Sequence, residues 1–183
     1  MSVVYGKRGL SQMEFWKMIN KIEKEIIFLL LHDFGVKTRT RSPQFYASVE
    51  HMNEADVEQF KSICDKYHMQ SIEDEYPAWL IEYLRDTTIR TIAKIKRNIR
   101  DANEVYPFYE SEFYTRRHYQ DEALRACGEL YDIFTLAVET LHADPDKYGT
   151  YVKDIERLAT LLKGWRKGDN RILRQIRKRN MGQ

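Results

Sequence analysis

The sequence predicts an all-α protein: an antiparallel up-and-down four-helix bundle with a loop plus a short helix inserted between the first two long helices. Three observations carry this. Apolar residues recur at steps of three and four through the segments 11–34, 77–106, 111–142 and 145–178, the period of a helix that buries one face. Glycine or proline punctuates each junction, at Gly35, Pro77, Pro107 and Pro145, where the chain has to leave helical geometry. The turns between the last three segments are short, which makes their helices antiparallel neighbours. At 183 residues the chain forms a single domain that buries one core without staples.

The first helix opens at Ser11, with Glu14 three residues on as a capping box. Phe15, Ile19, Ile22, Ile26 and Leu29 line its buried face, and Gly35 can take the left-handed C-cap conformation near its end. Residues 26–31 are apolar on every side, so this half is expected to be surrounded by protein. Residues 36–76 are the insertion: a loop or short hairpin containing Pro43, then a helix capped by Asn53 with Val57, Phe60, Cys64 and Tyr67 on one face, then the acidic turn at 73–75. Pro77 suits the first turn of the third helix, whose seam is Ile81, Leu84, Thr88, Ile92, Ile95, Ile99, Ala102 and Tyr106. The fourth helix has the cleanest heptad, Ala123, Cys127, Leu130, Phe134, Ala137 and Leu141, with Leu124, Tyr131 and Val138 as a flanking row. Asp144 caps the fifth and Pro145 begins it; its core positions are Tyr151, Ile155, Leu158, Leu162, Trp165, Ile172 and Ile176.

Composition narrows the function classes. With 43% hydrophobic, 13% aromatic and 32% charged residues, the chain reads as a soluble globular protein rather than a disordered one. Cys64 and Cys127 stand alone, without a CxxC or a Cys/His cluster, and read as reduced packing residues of a cytoplasmic protein. The longest apolar run is far shorter than a membrane span, and the N-terminus lacks the apolar core of a signal peptide, so no membrane is expected. His32, His51, His68, His118 and His142 are scattered. No phosphate loop, nucleophile elbow or carboxylate pair aimed at the seam is present, so the seam reads as dry. Neither catalysis nor a cofactor or metal is expected.

Charge is the informative feature. From Lys163 to Gln183 there are eight Lys or Arg residues against one acid, Asp169, a local balance of +7 in a chain of +2. Like charges this dense repel unless an anion is near. Arg90, Lys94 and Arg97 form a second stripe on the third helix, widened by Lys96 and Arg100, and Arg116, Arg117 and Arg125 belong to the fourth. Arg and Lys bind phosphate oxygens irrespective of base sequence. The candidate nucleic-acid-binding residues are therefore Arg90, Lys94, Arg97, Arg116, Arg117, Arg166, Lys167, Arg171, Arg174, Arg177 and Lys178. A solvated helix face, a solubilising tail, and a membrane surface or protein partner are the other readings of such charge. Trp165 lies between Gly164 and Gly168 and admits two roles: the last core residue, packed closely through small neighbours, or an exposed anchor for a partner or a stacked base.

The run 114–123, Tyr-Thr-Arg-Arg-His-Tyr-Gln-Asp-Glu-Ala, with Cys127, Leu130, the 144–148 turn and Leu162-Lys-Gly-Trp-Arg-Lys-Gly-Asp-Asn170, resembles the accessory variability determinants of diversity-generating retroelements. These four-helix-bundle proteins are themselves similar to those encoded by intervening sequences in bacterial large-subunit ribosomal RNA genes. The resemblance covers residues 77–172 and implies a non-catalytic homo-oligomer, a ring that is pentameric in the best-known members. It also implies partners: a reverse transcriptase and its template RNA or cDNA, during mutagenic cDNA synthesis. The positions it matches are Arg116, Arg117, Trp165, Arg166, Lys167 and Arg171. The insertion at 36–76 departs from the family pattern, and it bears on subunit number because it can block or remake a ring interface. Apart from the resemblance, a structural or protein-interaction bundle of a phage or mobile element remains the alternative, with a metal-dependent enzyme third.

Overall fold

The computed structural model describes residues 9–36, 52–67, 76–141 and 143–181. Five α-helices and two short 3₁₀ turns account for the regular structure there, with no strand among the described residues: α1 (Glu14–Leu31), α2 (Glu54–Lys66), α3 (Ala78–Glu104), α4 (Glu110–Leu141) and α5 (Pro145–Met181). Most of the loop expected at 36–52, the acidic turn at 73–75, and His51, His68 and His142 lie outside the described residues.

Helix ends follow local chemistry. Asn53 Oδ1 accepts from Asp56 N at 2.9 Å, and Asp144 Oδ1 accepts from Asp146 N at 3.1 Å with Pro145 as first helical residue; both side chains satisfy amides that helix geometry leaves unpaired. Glu112 reaches back to the amides of Phe108 and Tyr109 at 2.6 and 3.1 Å, the acidic half of a capping box at the start of α4. The capping box expected at Ser11 does not form. Residues Leu10–Gln12 make a 3₁₀ turn, α1 starts at Glu14 behind Met13, and Glu14 pairs with Arg157 of α5 at 3.0 Å. Pro77 sits at the N-cap of α3 instead of inside its first turn. After α1, Gly35 is left-handed as expected (φ 70°), and so is Phe34 (φ 57°). Left-handed backbone costs a non-glycine residue about 1–2 kcal/mol. Burying the Phe34 ring, 1% exposed, and bonding its carbonyl to the Tyr148 hydroxyl at 2.9 Å offset this.

One continuous core joins α1, α3, α4 and α5. Polar contacts give the directions of the helices. Glu14–Arg157, Lys21–Asp154 and Phe34–Tyr148 run α1 against α5; Arg116 to Ala102 O, Lys94–Glu129 and Tyr76 Oη to Leu141 O run α3 against α4. Arg177–Glu110 and the edge-on rings of Phe134 and Tyr148 do the same for α4 and α5. α3 and α5 are each flanked by α1 and α4. The seams of α3 and α4 are buried as spaced, through Ala102 and Leu141 respectively.

Three expectations fail. Tyr106 is exposed, because α3 ends at Glu104 and the helical register no longer applies. In the flanking row of α4, Leu124 and Val138 are half-buried but Tyr131 is exposed, and Ala126 joins the core instead. Ile27, Phe28 and Leu31 are exposed: a helix buries only the side that meets its neighbours, here Ile26, Leu29 and Leu30. Cys127 and Cys64 are both buried and form no disulfide. Burial pushes the Cys127 thiol up to about 12, which makes it a packing group and not a nucleophile.

Candidate nucleic-acid interface

The basic C-terminal segment is held by its single acid. Asp169 lies on the core side of α5, 7% exposed. Arg116 Nε donates to Asp169 Oδ2 at 2.6 Å, and Gln120, completely buried, donates to the same oxygen through Nε2 at 2.7 Å. The same guanidinium donates through Nη1 to the carbonyls of Ala102 and Val105 at 2.9 and 3.0 Å, satisfying acceptors that the C-terminal turn of α3 leaves open. It lies 5.0 Å from the centre of the Trp165 ring, which in turn stacks on Phe15 at 4.5 Å. Arg116 thus ties three helices together. Its side chain is 12% exposed, and it belongs to the fold rather than to a phosphate-binding surface. Nor is the seam dry at this end, since a charged pair and an amide replace apolar packing.

Trp165 is accordingly half-buried against the core, which leaves it the scaffold role rather than that of an exposed anchor. Its flanking glycines do not serve close packing: a Cβ on Gly164 or Gly168 meets nothing within 4 Å. Glycine inside a helix costs close to 1 kcal/mol relative to alanine. Gly164→Ala and Gly168→Ala together are expected to raise stability by about 1–2 kcal/mol, read as a higher urea midpoint at unchanged slope.

The other candidates separate into paired and open groups. Arg166 contacts Asp121 at 2.5 Å, and Arg177 pairs with Glu110 at 3.2 Å and donates to the Tyr114 hydroxyl at 3.3 Å. Arg117 donates to Asn170 Oδ1 at 2.6 Å and lies over the Phe113 ring; partial burial, then the nearby Arg166 charge, lower its pKa. On α3, Arg90 pairs with Asp86 at 2.7 Å and Lys94 with Glu129 at 2.8 Å, while Arg97 is exposed. Lys96, which widened that stripe, pairs with Glu23 at 2.6 Å. The α3 stripe is largely neutralised and does not share a face with the C-terminal one, because α1 and α4 lie between α3 and α5.

On α5 the cations that stay open form a single row. Lys163, Lys167, Arg171, Arg174 and Lys178 are all exposed, and none has an acidic partner among the described residues; Arg174 makes only a 3.4 Å bond to the Asn170 carbonyl of its own helix. Steps of four, four, three and four place them on one helical face over about 22 Å at 1.5 Å per residue. That face is opposite the one carrying Leu158, Leu162, Asp169 and Ile176. Paired Arg166 and Arg177 lie on the flank toward α4. Charge counting along the chain does not separate this row, Lys163 included, from its paired neighbours.

Among the described residues, no group of three or more His, Cys, Asp or Glu side chains is placed to hold a metal ion. No helix there is long and apolar enough to cross a membrane. Among the described residues the fold is all-helical, and the outer face of α5 carries five cations without acidic partners. Comparison with protein-family models, curated proteins and solved structures finds no match.

Proposed function

We propose that the chain is a non-catalytic nucleic-acid-binding accessory protein that holds single-stranded template RNA or cDNA through the outer face of α5. The observation that carries this is the row Lys163, Lys167, Arg171, Arg174 and Lys178, five cations without acids on a rigid helix. Cations on neighbouring turns repel, and the polyanion that relieves the repulsion gains counterion-release entropy. The scaffold is a four-helix antiparallel up-and-down bundle, a reading supported by the opposed contact pairs of α1, α3, α4 and α5. In this role the bundle positions a backbone while another subunit does the chemistry.

The resemblance over residues 77–172 supports a reverse transcriptase as that subunit, in the cytoplasm, with this chain assembled as a homo-oligomeric ring. Trp79, Tyr83 and Ile89, exposed on α3 away from the cationic row, offer apolar surface for contact between copies. Light scattering that returns the 22.0 kDa of one chain removes the ring. For nucleic acid the test is salt. Five phosphate contacts to a single strand predict that affinity falls about a hundredfold between about 50 and 200 mM salt. A flat profile, or no binding at the lower salt, refutes the reading.

A further inference from the structure

At the C-terminal end of α5, where the cationic row ends, Arg177 and Arg179 contact a group of exposed rings. Tyr106 and Phe108 in the α3–α4 connection, and Tyr109 at the mouth of α4, have successive ring centres 6.1 and 6.4 Å apart; Tyr114 follows one turn into α4. Phe108 is 55% and Tyr109 67% exposed. The rings of Phe108 and Tyr109 stay outside the core, whereas that of their neighbour Phe113 is buried.

Basic groups hold the rings in place. Arg179 lies 5.0 Å above the Phe108 ring and donates through Nη2 to the Phe108 carbonyl at 3.1 Å. Arg177 donates to the Tyr114 hydroxyl at 3.3 Å. Between these two arginines in sequence stands Lys178, the last member of the row. The acids nearby are already engaged: Glu110 with Arg177, and Glu112 with the amides of Phe108 and Tyr109.

We infer that this patch, Phe108 and Tyr109 with Arg179, is a stacking platform for unpaired bases at the end of the cationic row. This rests on the nucleic-acid reading above and adds to it the form of the ligand. Rings and guanidinium planes side by side are surfaces on which bases stack, and stacking is indifferent to base identity. Duplex bases are stacked inside the helix and cannot reach such rings, so the ligand is single-stranded, with its phosphates along α5 and its terminal or looped bases on the rings. A polypeptide partner would use the same rings as apolar contacts, but it would not require the adjoining row of five cations.

The test compares three probes of equal length: a single-stranded RNA, a duplex, and an oligomer of abasic sites, which keeps the phosphates and removes the bases. The intact protein is expected to bind the single strand at least about tenfold more tightly than the abasic oligomer, with the duplex no tighter than the abasic probe. Phe108→Ala with Tyr109→Ala is expected to remove that preference while leaving abasic binding unchanged. Phe108→Leu with Tyr109→Leu keeps the apolar bulk, guards against a folding defect, and is expected to give the same loss. Equal binding of single-stranded and abasic probes by the intact protein overturns the platform and leaves the cationic row standing. Retention of the preference by both double variants overturns it also. Binding of none of the probes at low salt overturns the nucleic-acid reading itself.

Discussion

Replacing Asp169 by alanine is expected to cost about 3–5 kcal/mol of folding stability, the largest effect of any single substitution on the basic segment. The reason is what stays behind. Arg116 keeps a full charge at a site where its side chain is 12% exposed, and Gln120 Nε2 loses its acceptor in a fully buried position. A buried charge without its partner is penalised far more than the pair contributes, since desolvation of each ion offsets much of their attraction. The oxygen of the same amide, Gln120 Oε1, already lacks a hydrogen-bond partner among the described residues, so the network has no reserve. Asp169→Leu combined with Arg116→Met is expected to recover part of the loss, but not all of it, because the carbonyls of Ala102 and Val105 then lose their donor. Urea unfolding followed by circular dichroism measures both. A loss under about 1 kcal/mol for Asp169→Ala means that water reaches the pair and that α5 is not anchored by it.

Five substitutions with the opposite profile follow from the row on the outer face. Changing Lys163, Lys167, Arg171, Arg174 and Lys178 together to glutamine is expected to reduce affinity for single-stranded RNA by about a hundredfold or more at low salt and to flatten its salt dependence. The urea midpoint is expected to move little, because exposed charges without partners contribute only tenths of a kcal/mol to folding. Removing mutual repulsion along the helix even favours the folded chain slightly. The comparison set is Arg90, Lys94 and Arg97 to glutamine, which removes the same sign of charge from α3. There the ion pairs to Asp86 and Glu129 already cancel most of the field, so binding is expected to change by less than about threefold. Equal losses from the two sets would mean that total charge, and not the α5 face, governs binding. A collapsed melt in the quintuple variant would mean that these side chains are part of the fold.

The two experiments divide a segment that composition treats as one. Counting charge from Lys163 onward treats eight cations as equivalent. In the folded chain Arg166 and Arg177 face acids of α4, Arg179 lies on Phe108, and the other five point outward. Part of this was legible beforehand. Asp169 sits four residues after Trp165 and three before Ile172, which is a core step, and Arg116 and Gln120 precede Ala123 on the buried seam of α4 by the same spacing. A charged residue on a seam signals a buried partner on a facing helix. Two such signals, one on α4 and one on α5, match each other in the pair Arg116–Asp169.

Local spacing and helix-end chemistry account for the five helices and most of their buried positions. Periodicity at three and four residues, Asn53 and Asp144 as caps, and proline at the junctions act within a few residues of chain, so helix existence and the buried seams of α3, α4 and α5 could be read from spacing alone. Which charges stay unpaired is a matter of packing. Whether a cation is neutralised depends on an acid within about 4 Å of it, and those acids come from elsewhere in the chain: Glu129 lies 35 residues from Lys94, Asp169 53 residues from Arg116, and Glu110 67 residues from Arg177. Helix periodicity places a side chain on a face; packing alone determines what stands opposite.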